Sequence, residues 1–366
     1  MWQTPAPVPV NPAVVSQPPS VEAFHPVAPM RPRRTWYIVL ILCFFAAVIP
    51  ETLATTSTSV AKILGKPTDL LFVILFYGPA DLLIRELVIR RRLGWVSIVL
   101  LGVAFGFINE GVVAGTWYTV KPTGYLFLGA IDFAWVAALT VFHLFVSVIM
   151  PIAFIETAFP SLAGRPLLRR RRGIVISAVI FLLITSLFLF VPSFRPYRVV
   201  VFALALILAL VAFRLPASRP RIPLARPAPG LWRLRWAGFF AMFGYFALIY
   251  LLPAMTLKLM EAHIASAQLA YIAVFALFAA LLLWTGRRWT GRAGWSPRHT
   301  LALITGALAF PILLTLLPFF WPTLEYVATL PFLVLLIALN LRLRRRERRL
   351  RAALSSAPPD EWRHRP

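Results

Sequence analysis

Apolar residues occupy this chain in ten long blocks, separated by short polar or basic stretches. A block of roughly 18 or more residues with few charges is typical of a helix that crosses a lipid bilayer. Backbone amides within a bilayer must find hydrogen-bond partners inside their own segment, which favours helices. The pattern therefore predicts an all-α, polytopic transmembrane helical bundle of about ten spans. The predicted spans cover residues 35–51, 69–89, 94–116, 130–157, 173–192, 197–214, 236–255, 264–285, 299–320 and 325–343.

The distribution of positive charge predicts how the bundle is oriented. If the loops are assigned alternately from a cytoplasmic N-terminus, 30 of the 37 Lys and Arg residues fall on the inside and six on the outside. Arg85, within a span, is the remaining one. Because cytoplasmic loops of membrane proteins are rich in Lys and Arg, both termini are predicted to be cytoplasmic. The expected location is the cytoplasmic (inner) membrane of a bacterium.

Composition also indicates a membrane protein, and this changes how the net charge is interpreted. Hydrophobic residues make up 60% of the chain, which exceeds the roughly half that is usual in soluble domains. A formal charge of +24 would suggest nucleic-acid binding in a soluble protein, but here the topology accounts for it. The predicted partner is the lipid bilayer, with anionic headgroups at the cytoplasmic arginines and no nucleic acid. The sequence identifies no protein partner.

These patterns divide the chain into four regions. Residues 1–34 are rich in proline and are predicted to form a disordered cytoplasmic tail. Residues 35–160 contain spans one to four, with the polar groups. Residues 161–343 contain the apolar spans five to ten and a Pro/Arg-rich cytoplasmic loop at 215–235. Residues 344–366 form a basic cytoplasmic tail.

Ionisable residues divide the spans into two sets. The acids inside or at the ends of spans cluster before residue 160, whereas spans five to ten have no ionisable residue in their interiors. Charged groups within a bilayer are costly and tend to mark functional sites. A reactive or hydrated site is therefore predicted within the first four spans. The last six are predicted to be scaffold or lipid-facing helices.

Span two contains the densest set of charges. Asp81 and Arg85 are four residues apart on a helix and are predicted to pair, and Glu86 follows directly. Pro79 cannot donate a backbone hydrogen bond and is predicted to kink the helix. Together with Asp132 of span four, these charged side chains form a candidate polar network, whose simplest role is to fix helix packing.

Spans three and four contain a candidate acid–base pair. Gly102, Gly106 and Glu110 recur at four-residue steps, so Glu110 is predicted to lie on a tightly packed face. His143 lies near the middle of the next, antiparallel span, with Ser147 one turn further on. A buried carboxyl beside an imidazole suits general-base or proton-transfer chemistry. The structural alternative is that both side chains are hydrogen-bonded packing residues.

Several kinds of site are absent from the sequence. The single cysteine, Cys43, lies in the first span and permits neither an internal disulfide nor a cysteine-based metal site. The chain contains no phosphate-binding loop, dinucleotide fingerprint, serine nucleophile elbow or H-E-x-x-H motif. No metal site and no cofactor are predicted.

Three stretches resemble an uncharacterised family of bacterial multi-pass membrane proteins. They are LFYGPADLLIRELVIRRRLGW at 75–95, GFINEGVVAG at 106–115 and FHLFVSVIMPIAFIETAFP at 142–160. The family has a Y-G…R-E-L…R-R…G-W span, then an E-G span, then a span with H-x-x-x-S…P-I…E…F-P. The resemblance implies a multi-pass membrane protein and no particular activity.

More distantly, the arrangement of these three stretches is similar to that of the CAAX-protease and bacteriocin-processing (CPBP) superfamily of glutamate-dependent intramembrane endopeptidases. Those proteins have an E-E-x-x-x-R motif on one span and histidines on later spans. The similarity implies that Glu110 and His143 polarise a water molecule for attack on a peptide carbonyl, with Asn109 and Ser147 as auxiliary donors. Asn109 stands where the superfamily has its first Glu, and Ala114 stands where it has Arg.

Three functions remain open on this evidence. The leading specific interpretation is a CPBP-like membrane-embedded hydrolase that uses Glu110 and His143. The second is a proton-coupled or small-solute transporter in which Asp81, Arg85 and Glu110 line a polar path. The third is a non-catalytic membrane scaffold, assembly factor or lipid-interaction protein, whose buried charges only specify packing.

Overall fold

The computed structural model of the protein confirms an almost entirely helical chain. It describes residues 35–54, 60–118, 131–168, 170–217, 224–253, 263–316 and 326–355. The helices in these ranges, numbered along the chain, are α1 Trp36–Ala54, α2 Val60–Gly65, α3 Pro67–Arg91, α4 Trp95–Val113, α5 Phe133–Ala158, α6 Arg171–Leu189, α7 Arg195–Arg214, α8 Leu231–Leu251, α9 Ile264–Thr290, α10 Pro297–Leu316 and α11 Tyr326–Ser355. Strand β1 (Leu224–Pro227) pairs in parallel with strand β2 (Arg292–Ala293), with Leu224 opposite Arg292.

The helices account for every predicted span. Among the described residues, eight helices are long and apolar enough to cross a membrane, namely α1 and α4 to α10. The two other long helices, α3 and α11, coincide with predicted spans two and ten. A multi-pass helical architecture is therefore confirmed. The predicted tail at residues 1–34 lies outside the described residues, as does part of the 215–235 loop.

The last helix is longer than the hydrophobic pattern predicts. The hydrophobic pattern predicts that span ten ends at residue 343, but α11 continues to Ser355 through the first half of the predicted basic tail. Arg, Leu, Ala and Glu dominate this stretch, and all are strong helix formers. Glu347 accepts a 2.7 Å hydrogen bond from Nη1 of Arg298, and its other carboxylate oxygen accepts one of 3.1 Å from the hydroxyl of Ser296. These contacts fix the extended helix against the start of α10.

Within the described residues, four helices change to a π-helical turn over part of their length. These segments are Ile49–Ala54 of α1, Phe107–Val113 of α4, His143–Ile149 of α5 and Ala247–Leu251 of α8. In α4 the amide of Ala114 donates to the carbonyl of Asn109, 2.7 Å away and five residues earlier. Pro50 lies inside the first segment and Pro151 lies two residues after the end of the third, and a proline ring clashes within a regular α-helical turn. Isolated π-helical turns occur frequently at functional sites.

Glycines bring α4 into close contact with α5. A Cβ added at Gly102 would lie 2.5 Å from Cδ1 of Leu144. One added at Gly106 would lie 3.3 Å from Cβ of His143. The small-residue face of α4 therefore packs directly on the helix that contains the histidine, as its four-residue spacing predicts.

A second close approach joins α8 to α10. A Cβ added at Gly306 would overlap the carbonyl oxygen of Arg235, and one added at Gly238 would overlap the carbonyl oxygen of Leu303. Both obstacles are backbone atoms, which cannot rotate out of the way as the end of a side chain can. The two glycines therefore set the distance between these helices.

Helices of the two predicted sets are in contact with each other. Thr35–Pro366 form one compact unit, in which Nη1 of Arg198 on α7 donates to the carbonyl of Val112 on α4. α6 and α9 are nevertheless less buried than the earlier helix α5. In the 18-residue apolar stretch of α6 and in that of α9, 11% of the residues are buried within the protein, compared with 67% in α5. α6 and α9 therefore present most of their apolar surface outward.

The predicted ion pair between Asp81 and Arg85 is wrong. Nη2 of Arg85 instead lies 3.1 Å from Oε1 of Glu156 on α5 and 3.0 Å from the carbonyl oxygen of Leu162. A long arginine side chain can extend toward the end of its helix, where two acceptors are available in place of one. Glu86 lies in the same inner cluster, 2.9 Å from Nε of Arg90. Asp81 is not part of it.

Asp81 is fully buried, and neither of its carboxyl oxygens has a hydrogen-bond partner among the described residues. We expect Asp81→Leu to raise the free energy of unfolding by about 1–3 kcal/mol, because a polar group cut off from water is replaced by an apolar one. Thermal unfolding in detergent measures the effect. Asp69→Leu is the control, since Asp69 is partly exposed and pairs with Lys66 at 3.0 Å. A lower unfolding temperature for Asp81→Leu would contradict the prediction.

Candidate functional site

Glu110 and His143, the two residues predicted as an acid–base pair, are in direct contact. Oε1 of Glu110 on α4 lies 2.8 Å from Nε2 of His143 on α5. Both side chains belong to π-helical segments of their helices. The imidazole is 1% exposed and the glutamate 9%. The close packing of Gly106 against His143 explains how two antiparallel helices bring these groups within hydrogen-bond distance.

The histidine ring is held from several sides. Its Nδ1 lies 2.8 Å from the hydroxyl of Ser147, one turn further along α5. Phe105 and Phe142 pack edge-on to the imidazole, with ring centroids 5.9 and 5.4 Å away. A serine hydroxyl can donate or accept a hydrogen bond. The imidazole can therefore gain or lose a proton while keeping both its serine and its glutamate partner.

Asn109 connects this pair to a second acid that the sequence analysis missed. Nδ2 of Asn109 lies 3.2 Å from both ring nitrogens of His143 and donates to the hydroxyl of Tyr77 at 2.5 Å. The Tyr77 hydroxyl in turn donates to Oε1 of Glu51, near the end of α1. The hydrogen bonds thus link two carboxylates through a tyrosine, an amide and an imidazole.

Glu110 itself is held at both carboxylate oxygens. Oε1 contacts the imidazole, and Oε2 accepts a hydrogen bond from the hydroxyl of Thr116, just beyond the end of α4. A carboxylate fixed at both oxygens has little freedom to rotate, so its remaining lone pairs point in a defined direction. This is the arrangement expected of a group that receives a proton from a positioned molecule.

These groups line one wall of a cavity of about 840 Å³. The polar wall comes from α1, α4 and α5 and includes Glu51, Asn109, Glu110, Thr116 and His143. A second part of the lining, the apolar wall, comes from α8 and α10 and is mainly apolar and aromatic, with Phe243, Tyr245, Phe246, Tyr250, Phe310 and Leu314. All four π-helical segments contribute lining residues. The wider turns therefore converge on this one cavity.

The cavity has a defined place in the predicted topology. Its lining residues lie near the C-terminal ends of α1, α4, α8 and α10, and in the first half of α5. In the predicted orientation α1, α4, α8 and α10 run outward and α5 runs inward. In that predicted orientation, the cavity lies in the outer half of the bilayer and the Arg85 cluster lies at the inner side.

The cavity has an acidic character. Neither Lys nor Arg occurs among its described lining residues, whereas two carboxylates and one imidazole do. Among the described residues, no three His, Cys, Asp or Glu side chains are arranged to hold a metal ion. The arrangement can accept a proton at Glu110 from water or from a polar substrate group, with the imidazole of His143 hydrogen-bonded to the same carboxylate.

The remaining predicted polar residues lie elsewhere. Asp132 caps the N-terminus of α5, where it accepts a 3.0 Å hydrogen bond from the amide of Trp135 and one of 3.1 Å from the side chain of Gln268 on α9. Asp81, Arg85 and Glu86 do not line the cavity. The candidate network of these four residues is therefore divided: Arg85 and Glu86 share the inner cluster, while Asp81 and Asp132 lie apart from it.

Comparison with known proteins identifies the family and no activity. No curated protein and no solved structure matches the chain. The likeness to the CPBP superfamily stays a prediction from the motifs described above. One family model matches residues 39–343, from α1 into α11, and its description is "Uncharacterized membrane protein family". Because that match spans the whole helical bundle, the chain belongs to this family of membrane proteins.

Proposed function

We propose that this protein is a membrane-embedded hydrolase in which Glu110 activates a water molecule. The observation that supports this most directly is the 2.8 Å contact between Glu110 and His143 on the polar wall of a large cavity. Because Glu110 lines the cavity, a water molecule there can reach it. Ser147 does not line the cavity and is fully buried, so it acts as a positioning residue for the imidazole.

The proposed reaction needs only groups on the polar wall. Glu110 removes a proton from water as the water oxygen bonds to the carbonyl carbon of the substrate. The bond to the leaving nitrogen or oxygen then breaks, and Glu110 returns the proton to the leaving group. His143 holds Oε1 of Glu110 throughout. In this reaction one N–H of the Asn109 side chain leaves the imidazole, which it contacts at 3.2 Å, and donates to the developing oxyanion. Positioned acid–base groups of this kind typically accelerate reactions by about 10²–10⁴-fold.

The apolar wall indicates the class of substrate. Aromatic and aliphatic side chains from α8 and α10 line the same cavity as Glu110 and His143. Such a wall stabilises a hydrocarbon or an apolar peptide segment by excluding water from it. We therefore propose an ester or amide substrate that enters from the membrane with its apolar part against α8 and α10.

The carrier hypothesis has less support. A carrier usually binds its solute between two halves that both supply polar groups, whereas the charged groups of this cavity come from α1, α4 and α5 alone. Arg85, which the carrier hypothesis requires along the path, is engaged with Glu156 and the Leu162 carbonyl. The scaffold hypothesis does not explain why four π-helical turns and two carboxylates surround one cavity.

A labelling experiment with ¹⁸O-labelled water tests hydrolysis without knowledge of the substrate. Membranes containing the wild-type protein, or Glu110→Gln at equal abundance, are incubated in H₂¹⁸O and their peptide and lipid fragments are analysed by mass spectrometry. Hydrolysis places one ¹⁸O atom in each new carboxyl group. We expect labelled fragments that depend on the wild-type protein and are missing with Glu110→Gln. Identical fragment profiles would overturn the proposal.

We also propose that the protein lies in the bacterial cytoplasmic membrane with both termini in the cytoplasm. In a Cys43→Ala background, Lys258→Cys, between predicted spans seven and eight, is expected to react with a membrane-impermeant maleimide in intact spheroplasts. Arg345→Cys, on the exposed part of α11, is expected to react only after lysis. The reverse labelling pattern would show the opposite orientation, and would place the cavity in the inner half of the bilayer.

A further inference from the structure

A second, separate cavity lies between α3, α4, α6 and α7. It is a groove of about 340 Å³, lined along most of its length by aliphatic and aromatic side chains. Leu83 and Leu87 of α3, Ile174 and Phe181 of α6, and Ala209 of α7 are partly exposed along it. At about 1.5 Å per residue, the lining residues of α3, from Ala80 to Arg91, span roughly 16 Å. The groove is therefore an elongated apolar channel that runs toward one end of these helices.

Positive charge surrounds that end of the groove. Arg90 and Arg91 of α3 line it directly, and the guanidinium of Arg91 lies 4.3 Å from the ring centroid of Phe213 on α7. The first residues of α6, Arg171 and Arg172, and the last residue of α7, Arg214, are exposed near the same helix ends. Together these five arginines form the arginine rim.

Most of the rim is free to bind an anion. Among the described residues, the ion pairs involve Arg90 but not Arg91, Arg171, Arg172 or Arg214. Glu86, the acid at the groove, is neutralised by Arg90 and by the amides of Leu167 and Leu168. It therefore does not repel an anion placed against Arg91.

We infer that this groove is a binding site for an anionic glycerophospholipid. One acyl chain lies in the apolar channel, and the phosphate of the headgroup contacts Arg91 and its neighbours on the arginine rim. The combination is what this ligand requires: hydrocarbon contact along the groove and cationic groups at a single end, at the predicted cytoplasmic surface. A soluble anion would use the rim alone, and a neutral lipid would use the channel alone.

Native mass spectrometry of the detergent-solubilised full chain tests this inference. Phosphatidylglycerol and phosphatidylcholine with identical acyl chains serve as probes. Each cationic side chain near an anionic headgroup contributes about a five-fold change in binding. We expect phosphatidylglycerol to be retained at least about five-fold better, and Arg91→Gln to lower its retention by a similar factor. Arg345→Gln is the matched control, because Arg345 is an exposed arginine on α11 far along the chain from the rim.

A second pair of variants tests the channel without changing the charge. Ala209→Phe fills the groove, whereas Ala203→Phe adds the same ring to an exposed position of the same helix. We expect Ala209→Phe to reduce phosphatidylglycerol retention several-fold and Ala203→Phe to leave it unchanged, with equal unfolding temperatures for both. Equal retention of the two lipids, undiminished binding by Ala209→Phe, or full competition by glycerol phosphate would each overturn the inference.

Discussion

Glu110→Gln is expected to lower the rate of ¹⁸O incorporation by at least about 100-fold, the usual contribution of a general base. Glutamine has the same length as glutamate, and its amide oxygen can still accept a hydrogen bond from His143, so the helix contact is retained. What the variant loses is the ability to accept a proton from water. We therefore expect the unfolding temperature to stay close to that of the wild-type protein while the labelled fragments disappear.

Two further carboxylate variants separate proton transfer from general charge effects. Glu51→Gln removes the other acid of the same wall, which is connected to His143 through Tyr77 and Asn109. We expect it to reduce the rate far less than Glu110→Gln does. Glu110→Asp keeps the base but withdraws it from the imidazole by one methylene, so an intermediate rate is expected. Equal losses for Glu51→Gln and Glu110→Gln would contradict the assignment of Glu110 as the base.

A double variant that combines His143→Ala with Glu110→Gln tests the role of His143. If the imidazole acts by holding Glu110, then His143→Ala should slow the reaction strongly in the wild-type background. The same change should add little once Glu110 is already glutamine, because residues that act as a unit are not additive. Fully additive losses would mean that the two side chains contribute independently.

Gly306→Ala is expected to destabilise the protein by several kcal/mol, or to prevent it from accumulating in the membrane. The new Cβ would overlap the backbone carbonyl of Arg235, so α8 and α10 would have to separate. Overpacking of a well-packed interior usually costs about 1–3 kcal/mol and sometimes more, and here no side chain can move to relieve it. Thermal unfolding in detergent is the measurement.

Gly244→Ala provides the matched control for that prediction. Gly244 lies on α8, the partner of α10 in this crossing, but a Cβ there would meet only an aromatic carbon of Phe278 at 3.6 Å, an ordinary contact. Alanine also favours the helix over glycine by up to about 1 kcal/mol. We therefore expect Gly244→Ala to match or exceed the stability of the wild-type protein. If both variants unfold at the same temperature, the proposed close crossing of α8 and α10 is wrong.

The fold could be predicted from the sequence because the bilayer imposes a simple rule. Long apolar blocks within a bilayer must be helices, and the distribution of arginine predicts which of the connecting loops are cytoplasmic. The small-residue spacing of α4 also predicts its contact with α5, and through that contact the proximity of Glu110 to His143. These inferences depend on neighbouring residues or on consecutive spans, where the sequence alone constrains the geometry.

The rest of the site depends on contacts between distant parts of the chain. Glu51 is visible in the sequence as an acid at a span end, and Tyr77 belongs to one of the family motifs. Their connection to His143 follows only from how α1 and α3 pack on α4. The i,i+4 rule failed for Asp81 and Arg85 because it considers one helix at a time, whereas Glu156 on another helix competes for the guanidinium.

The crossing of α8 and α10 has a practical consequence for attempts to dissect this protein. These two helices line the same cavity as the carboxylates and the imidazole, although the proposed catalytic residues lie on helices made much earlier in synthesis. A truncated chain ending after the first four crossings would leave its acidic face open to detergent or acyl tails. Deletion mapping would then assign an essential role to the C-terminal half even though that half supplies only the apolar wall of the cavity. Conservative point substitutions such as Glu110→Gln are therefore the safer way to locate the proposed catalytic residues.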